Sequence, residues 1–119
     1  MTKNQVLTAE MQQEMTPESV IERLKAGNKR YISGELTSYD YLAQIPLATT
    51  GQYPMAAIVS CVDSRVVVES VFDCGIGDLF VARVAGNFVN TDIVGSLEFA
   101  TKVSGSKVCL LYTSPSPRD

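Results

Sequence analysis

A thiol, a carboxylate and a guanidinium stand at two-residue steps in the stretch VSCVDSRVVVES: Cys61, Asp63 and Arg65. A cysteine thiolate can ligate a borderline-soft metal ion, and a carboxylate close by can accept or aim a proton. A guanidinium beside that carboxylate keeps it ionised and fixes its rotamer. Each residue also has a plainer reading. A cysteine after a buried strand is most often a small core residue, and Asp63 could cap a following helix with Arg65 paired across the turn. The combination is what points to chemistry. The other two cysteines, Cys74 and Cys109, are widely spaced and form no C-x-x-C, which argues against a disulfide framework and leaves reduced thiols or metal ligands. Gly75 and Gly77 make a G-x-G too short to cradle a phosphate, and turn chemistry accounts for them.

These residues need elements to hold them. MAAIVSC (55–61) and LFVARVA (79–85) are short apolar runs bounded by turn signals, the pattern of strands buried on both faces of a parallel sheet. Between them, SRVVVESVFDCGIGD is expected to be helical, capped by Asp63 and broken by Gly75 and Gly77. A second helix is predicted in NTDIVGSLEFATKVSGSK, with Asp92 near its start and Gly105 past its end, leading to a third apolar run, KVCLLY. Upstream, Thr16 is a good N-cap, Pro17 suits the first helical position and Glu18 adds charge to the first turn. Val20, Ile21, Leu24 and Tyr31 then recur at helical spacing, predicting one buried face that ends at Gly34. Residues 35–53 read as a long surface connection. The alternation gives an α/β fold, a parallel β-sheet with flanking helices, and places Cys61 at the carboxyl end of a strand, where such sheets bind ligands.

Composition limits the function classes. At 119 residues, 45% hydrophobic, the chain suits one globular domain, and its net charge of −3 with a pI of about 4.9 leaves no basic patch for nucleic acid. The N-terminus has no secretory pattern, and no apolar run reaches the roughly 18 residues of a membrane span. The cytoplasm is the expected location.

GQYPMAAIVSCVDSRVVVESVFDCGIGDLFVARVAGNFVN, followed by DIVGSLEFA, resembles the first half of a β-class carbonic anhydrase, a zinc enzyme that interconverts carbon dioxide and bicarbonate. The C-x-D-S-R and GDLFVARVAGN stretches are specific signals, LKAGNKRYISGE resembles the family's opening helix, and the likeness runs from Thr16 to Val108. It implies that Cys61 is the first zinc ligand and that Asp63 and Arg65 form the family's dyad. Asp63 would accept a hydrogen bond in an open form and ligate zinc itself in a closed one. Gln52 resembles the amide donor to the substrate. Phe80, Ala85 and Phe99 fall where the family lines an apolar pocket for carbon dioxide, partly across a subunit interface, so a homodimer or higher homo-oligomer is implied.

The chain departs from the family in one respect. It contains no histidine, and the positions of the family's His-x-x-Cys ligands fall on Ser114 and Pro117. Cys61 and Asp63 alone fill only part of zinc's usual tetrahedral shell. Residues Cys109–Asp119, CLLYTSPSPRD, match codon by codon a frame of a transposase adapter used in sequencing libraries. The expected organisation is therefore a flexible N-terminus over 1–15, a partial β-carbonic anhydrase domain over 16–108, truncated after its third strand, and a non-native tail over 109–119. The expected function is zinc-dependent hydration of carbon dioxide to bicarbonate and a proton, with this chain inactive for want of the His-x-x-Cys pair. A catalytically dead α/β binding module is the alternative; a thiol protein activated by Arg65 and a helix N-terminus ranks last.

Overall fold

A strand without polar alternation must be covered on both faces, and Ala56–Ser60 is buried at every residue. The computed structural model describes residues 2–3, 5–87 and 89–111. In chain order it holds β1 (Thr2–Lys3), α1 (Ala9–Glu14), α2 (Pro17–Ser33), β2 (Ser38–Tyr39), α3 (Tyr41–Leu47), β3 (Ala56–Ser60), α4 (Val68–Val71), β4 (Leu79–Arg83), α5 (Thr91–Glu98) and β5 (Val108–Leu111). A 3-10 turn at Ala85–Asn87 follows β4, and α5 runs on as a π-helical turn, Phe99–Val103.

The predicted parallel α/β sheet is present. Its order is β4-β3-β5, with Ala56 beside Leu79 and Val108, and Ser60 beside Arg83. Ala56 and Ile58 of β3 join Val20 and Leu24 of α2, Val68 of α4, and Leu7, Met55 and Phe72 in the main core. β1 and β2 form a separate short parallel pair. Among the described residues, no helix is long and apolar enough to cross a membrane.

Helix α2 starts and stops where its sequence says. Thr16 accepts from the Ser19 N–H and Ser19 Oγ accepts from the Thr16 N–H, a reciprocal capping box. Gly34 ends it at φ 76, a conformation that costs glycine little. The buried stripe, however, is Val20, Leu24 and Gly27, while Ile21 and Tyr31 are 40% and 43% exposed. Glycine is in that stripe because the backbone of Phe72 lies directly against it.

Two other expectations need correction. Residues 35–53 are not a structureless connection: β2 and α3 lie there, α3 capped by Asp40 and anchored by the fully buried Gln44. Gln44 Nε2 donates to Gln5 O and its Oε1 accepts from the Ile76 N–H, links that periodicity in apolar residues does not register. The helix expected across 64–78 shrinks to four residues, Val68–Val71, and its N-cap is Val67 without a side-chain bond. Asp63 therefore caps no helix. Val66 and Val67 remain outside it. In the second helix the cap is Asn90, two positions before Asp92, and Gly105 ends the run at φ 81.

Candidate active site at the carboxyl end of the central strand

Strand β3 stops at Ser60, whose carbonyl accepts from the Val84 N–H at 2.9 Å, and Cys61 is the next residue. This link brings the 3-10 turn after β4 up against the cysteine. The backbone N–H of Gly86, and next those of Asp63 and Val62, point at the thiol and hold its pKa below the ordinary value. Gly86 sits at φ 78, a left-handed conformation that suits glycine, so its identity helps aim that N–H. The thiolate is thus favoured by backbone donors, not by the helix N-terminus expected from the sequence, since α4 begins only at Val68.

Asp63 and Arg65 meet as a fork. Arg65 Nε donates to Asp63 Oδ1 at 2.9 Å, Arg65 Nη2 to Oδ2 at 2.6 Å, and the Arg65 backbone N–H to Oδ1 at 2.9 Å. The Arg65 guanidinium, then the Arg65 N–H, hold the Asp63 carboxyl well below the usual carboxylate range. Asp63 is therefore ionised at neutral pH. The Arg65 and Asp63 side chains are 87% and 29% exposed, and a pair so placed adds little to folding. Its tight geometry instead fixes the carboxylate's rotamer within its own turn.

Arg83, which sequence reasoning missed, completes the corner. Its Nη2 donates to the Asp63 carbonyl at 2.5 Å from the neighbouring strand. The available signal was a lone charge at the end of the apolar run LFVAR.

Gln52, Phe80 and Phe99 come together elsewhere. They line one cavity of about 650 Å³ between the sheet and α5, alongside Ala57, Val81 and Ala100. The Phe80 and Phe99 rings stack with centroids 6.1 Å apart. Cys61, Asp63, Arg65 and Ala85 are not among the residues lining that cavity; Ala85 begins the 3-10 turn instead. The described residues therefore form two clusters, one polar and one mainly apolar.

As a metal centre the polar cluster is incomplete. Among the described residues no three of His, Cys, Asp or Glu converge, and both Asp63 oxygens already accept from Arg65. Cys61 and Asp63 do not by themselves make a zinc site. Cys74 is buried in the core cluster, its thiol pushed up to about 12 chiefly by burial. Cys109 lies in β5 opposite Ala57. Ser114 and Pro117 lie outside the described residues. Iodoacetamide should label Cys61 and Cys109 early and Cys74 only on unfolding, because just the first two have exposed surface. Peptide mapping of a time course checks this, and early labelling of Cys74 would contradict the packing.

Comparison with known proteins gives one direction. A carbonic anhydrase family model matches residues 56–112. Carbonic anhydrase 2 of Mycobacterium tuberculosis is 40% identical over 91 residues, covering 73% of this chain and 42% of that protein. The β-carbonic anhydrase CcaA superposes with a TM-score of 0.55 at 25% identity, covering 79% of this chain and 42% of that one. A carbonic anhydrase from Sordaria macrospora, described as tetrameric, gives 0.50 at 26% identity over 76% of this chain and 44% of its own. The chain spans less than half the length of the curated relatives that it matches.

Proposed function

Since the chain belongs to the β-class carbonic anhydrase family, we propose that it carries part of a centre for the reversible hydration of carbon dioxide to bicarbonate and a proton. The observation that carries this reading is the Asp63–Arg65 fork two residues from a thiol held low in pKa. In a complete centre Cys61 would be one zinc ligand, and zinc would supply a bound water acidic enough to ionise near neutral pH. Asp63 is a permanent acceptor, kept ionised by Arg65, that orients an O–H donor. A carboxylate forked by Arg65 would be free to ligate a metal only if that fork opened.

The cavity supplies the second half of the reading. Stacked Phe80 and Phe99 with Ala57 give carbon dioxide, which has no net charge to hold, an apolar wall. The Gln52 amide at its edge offers a donor to the oxygen that gains charge as bicarbonate forms. Ala85, outside this cavity, is assigned to the same lining in an assembled homo-oligomer, where a partner subunit would bring the two clusters into one pocket. A cytoplasmic location suits that role.

This chain alone is assigned no activity. Cys61 is a single thiolate donor, Asp63 is occupied by Arg65, and residues 109–119 are read as a non-native tail after a partial domain over 16–108; the stretch 1–15 is not the flexible lead expected, since it holds α1 and buries Leu7 and Gln12 against the rest of the chain. The test is zinc content and carbon dioxide hydration in two proteins: this chain, and the same chain carrying the continuation of its gene after Val108. The extended protein should hold zinc and turn over while the short one does neither. An extended protein without zinc would sink the enzyme reading and favour the alternative of a catalytically dead binding module.

A further inference from the structure

Arg83 is a charged residue at the end of an otherwise apolar strand, and its guanidinium is directed at a backbone atom, not at a carboxylate. Its Nη2 donates to the Asp63 carbonyl at 2.5 Å, and the same oxygen accepts from the Val66 N–H at 3.2 Å. That second bond closes the turn on which Arg65 rides. A further bond ties the same corner to the segment after β4: Val84 N–H to Ser60 O at 2.9 Å. The loop carrying Cys61, Asp63 and Arg65 is therefore braced from the neighbouring strand at its start and at its middle.

We propose that Arg83 is a positioning residue for the Cys61–Asp63–Arg65 cluster, holding the Asp63 peptide so that the carboxylate and the thiol face the same space. The Asp63–Arg65 bonds are local, spanning two residues, and set the shape of the fork without setting where it points. Arg83 reaches across 20 residues of sequence and fixes the fork relative to the sheet. A charge-assisted bond to a carbonyl that already accepts one backbone N–H is among the stronger single restraints available to an exposed turn. The inference rests on reading Asp63 and Arg65 as the catalytic pair.

The test is residue-resolved amide exchange on the full chain, comparing the parent with Arg83→Met and Arg83→Gln. If Arg83 positions the loop, the Arg65 and Val66 amides exchange about tenfold faster in R83M, the order expected for one lost charge-assisted bond. The Ile58 amide in the middle of β3 stays unchanged, and the Arg65 Nε–H resonance moves toward its free position. R83Q, which keeps a shorter donor, falls between, and stands in should R83M fail to fold. Equal acceleration at Ile58 would make Arg83 a mere fold-stabiliser, and no acceleration at Arg65 would end the proposal. The pattern is read without metal. Selective loosening in R83M, together with an extended protein that holds no zinc, would overturn the enzyme reading and leave the brace intact.

Discussion

Gly27→Ala should destabilise the chain by about 3 kcal/mol or more, enough to unfold much of a marginally stable domain. A methyl at this position would lie 1.8 Å from the Phe72 carbonyl oxygen and 2.6 Å from its carbonyl carbon. Both are backbone atoms in the turn after α4, so no rotamer change relieves the clash. α2 would have to back away from α4, opening the core that Val20, Leu24, Val68 and Phe72 share. Alanine's better helix propensity returns only about 1 kcal/mol. Gly95, inside α5, is the internal control, since a methyl there meets nothing within 4 Å. Gly95→Ala should be neutral or stabilising by roughly 0.5–1 kcal/mol. Urea unfolding of the two variants checks both, and a Gly27→Ala midpoint equal to the parent's would mean that α2 does not sit where the structure puts it.

Gly27 also shows what the sequence could not display. Periodicity counts apolar side chains, so β3, β4 and β5, each a run of them, were legible together with their parallel direction, though not their order in the sheet. Helix α2 was legible at its ends because Thr16, Pro17 and Gly34 act locally. Its buried face was misassigned to Ile21 and Tyr31 because a glycine pressed against a neighbouring backbone leaves no hydrophobic signal. α3 was missed for a similar reason: its anchor, Gln44, is a polar side chain buried by partners at Gln5 and Ile76. The candidate site divides the same way. Cys61, Asp63 and Arg65 are close in sequence and stand out by their spacing, while their roles come from the family resemblance. Arg83 acts on a carbonyl 20 residues away, and only the paired strands show it. The cavity of Gln52, Phe80 and Phe99 was reached through family resemblance, which also brought in Ala85, a residue the structure leaves outside that cavity.

Asp73→Ala should cost about 2–3 kcal/mol at neutral pH, chiefly because the part-buried Thr37 donors lose their acceptor, while Arg30, 42% exposed, can turn to water. The Asp73 side chain is only 2% exposed. It pairs with Arg30 Nε, and accepts from the Thr37 N–H at 2.9 Å and Thr37 Oγ1 at 2.7 Å. Its backbone carbonyl accepts from the Tyr39 hydroxyl at 2.7 Å. One residue thus joins the end of α2, the start of β2 and the turn after α4. Asp73 stands at φ 51, where aspartate and asparagine are tolerated better than alanine. Alanine therefore loses the charge, three acceptor bonds and a compatible backbone together. Burial alone would push the Asp73 pKa up, but the bonds from Thr37 and Arg30 outweigh it and leave it below the ordinary value. A depressed folded pKa stabilises the fold above the unfolded value, near pH 4, and this contribution disappears as pH falls through the folded value. Asp73→Asn keeps the backbone preference and the shape but not the charge, so it isolates that part. Its deficit against the parent should be large at pH 7 and shrink steadily below pH 4, where the parent's own carboxyl becomes neutral. Paired denaturation curves at pH 7 and pH 3 measure this, and a deficit that does not change between them would show that Asp73 acts through shape alone.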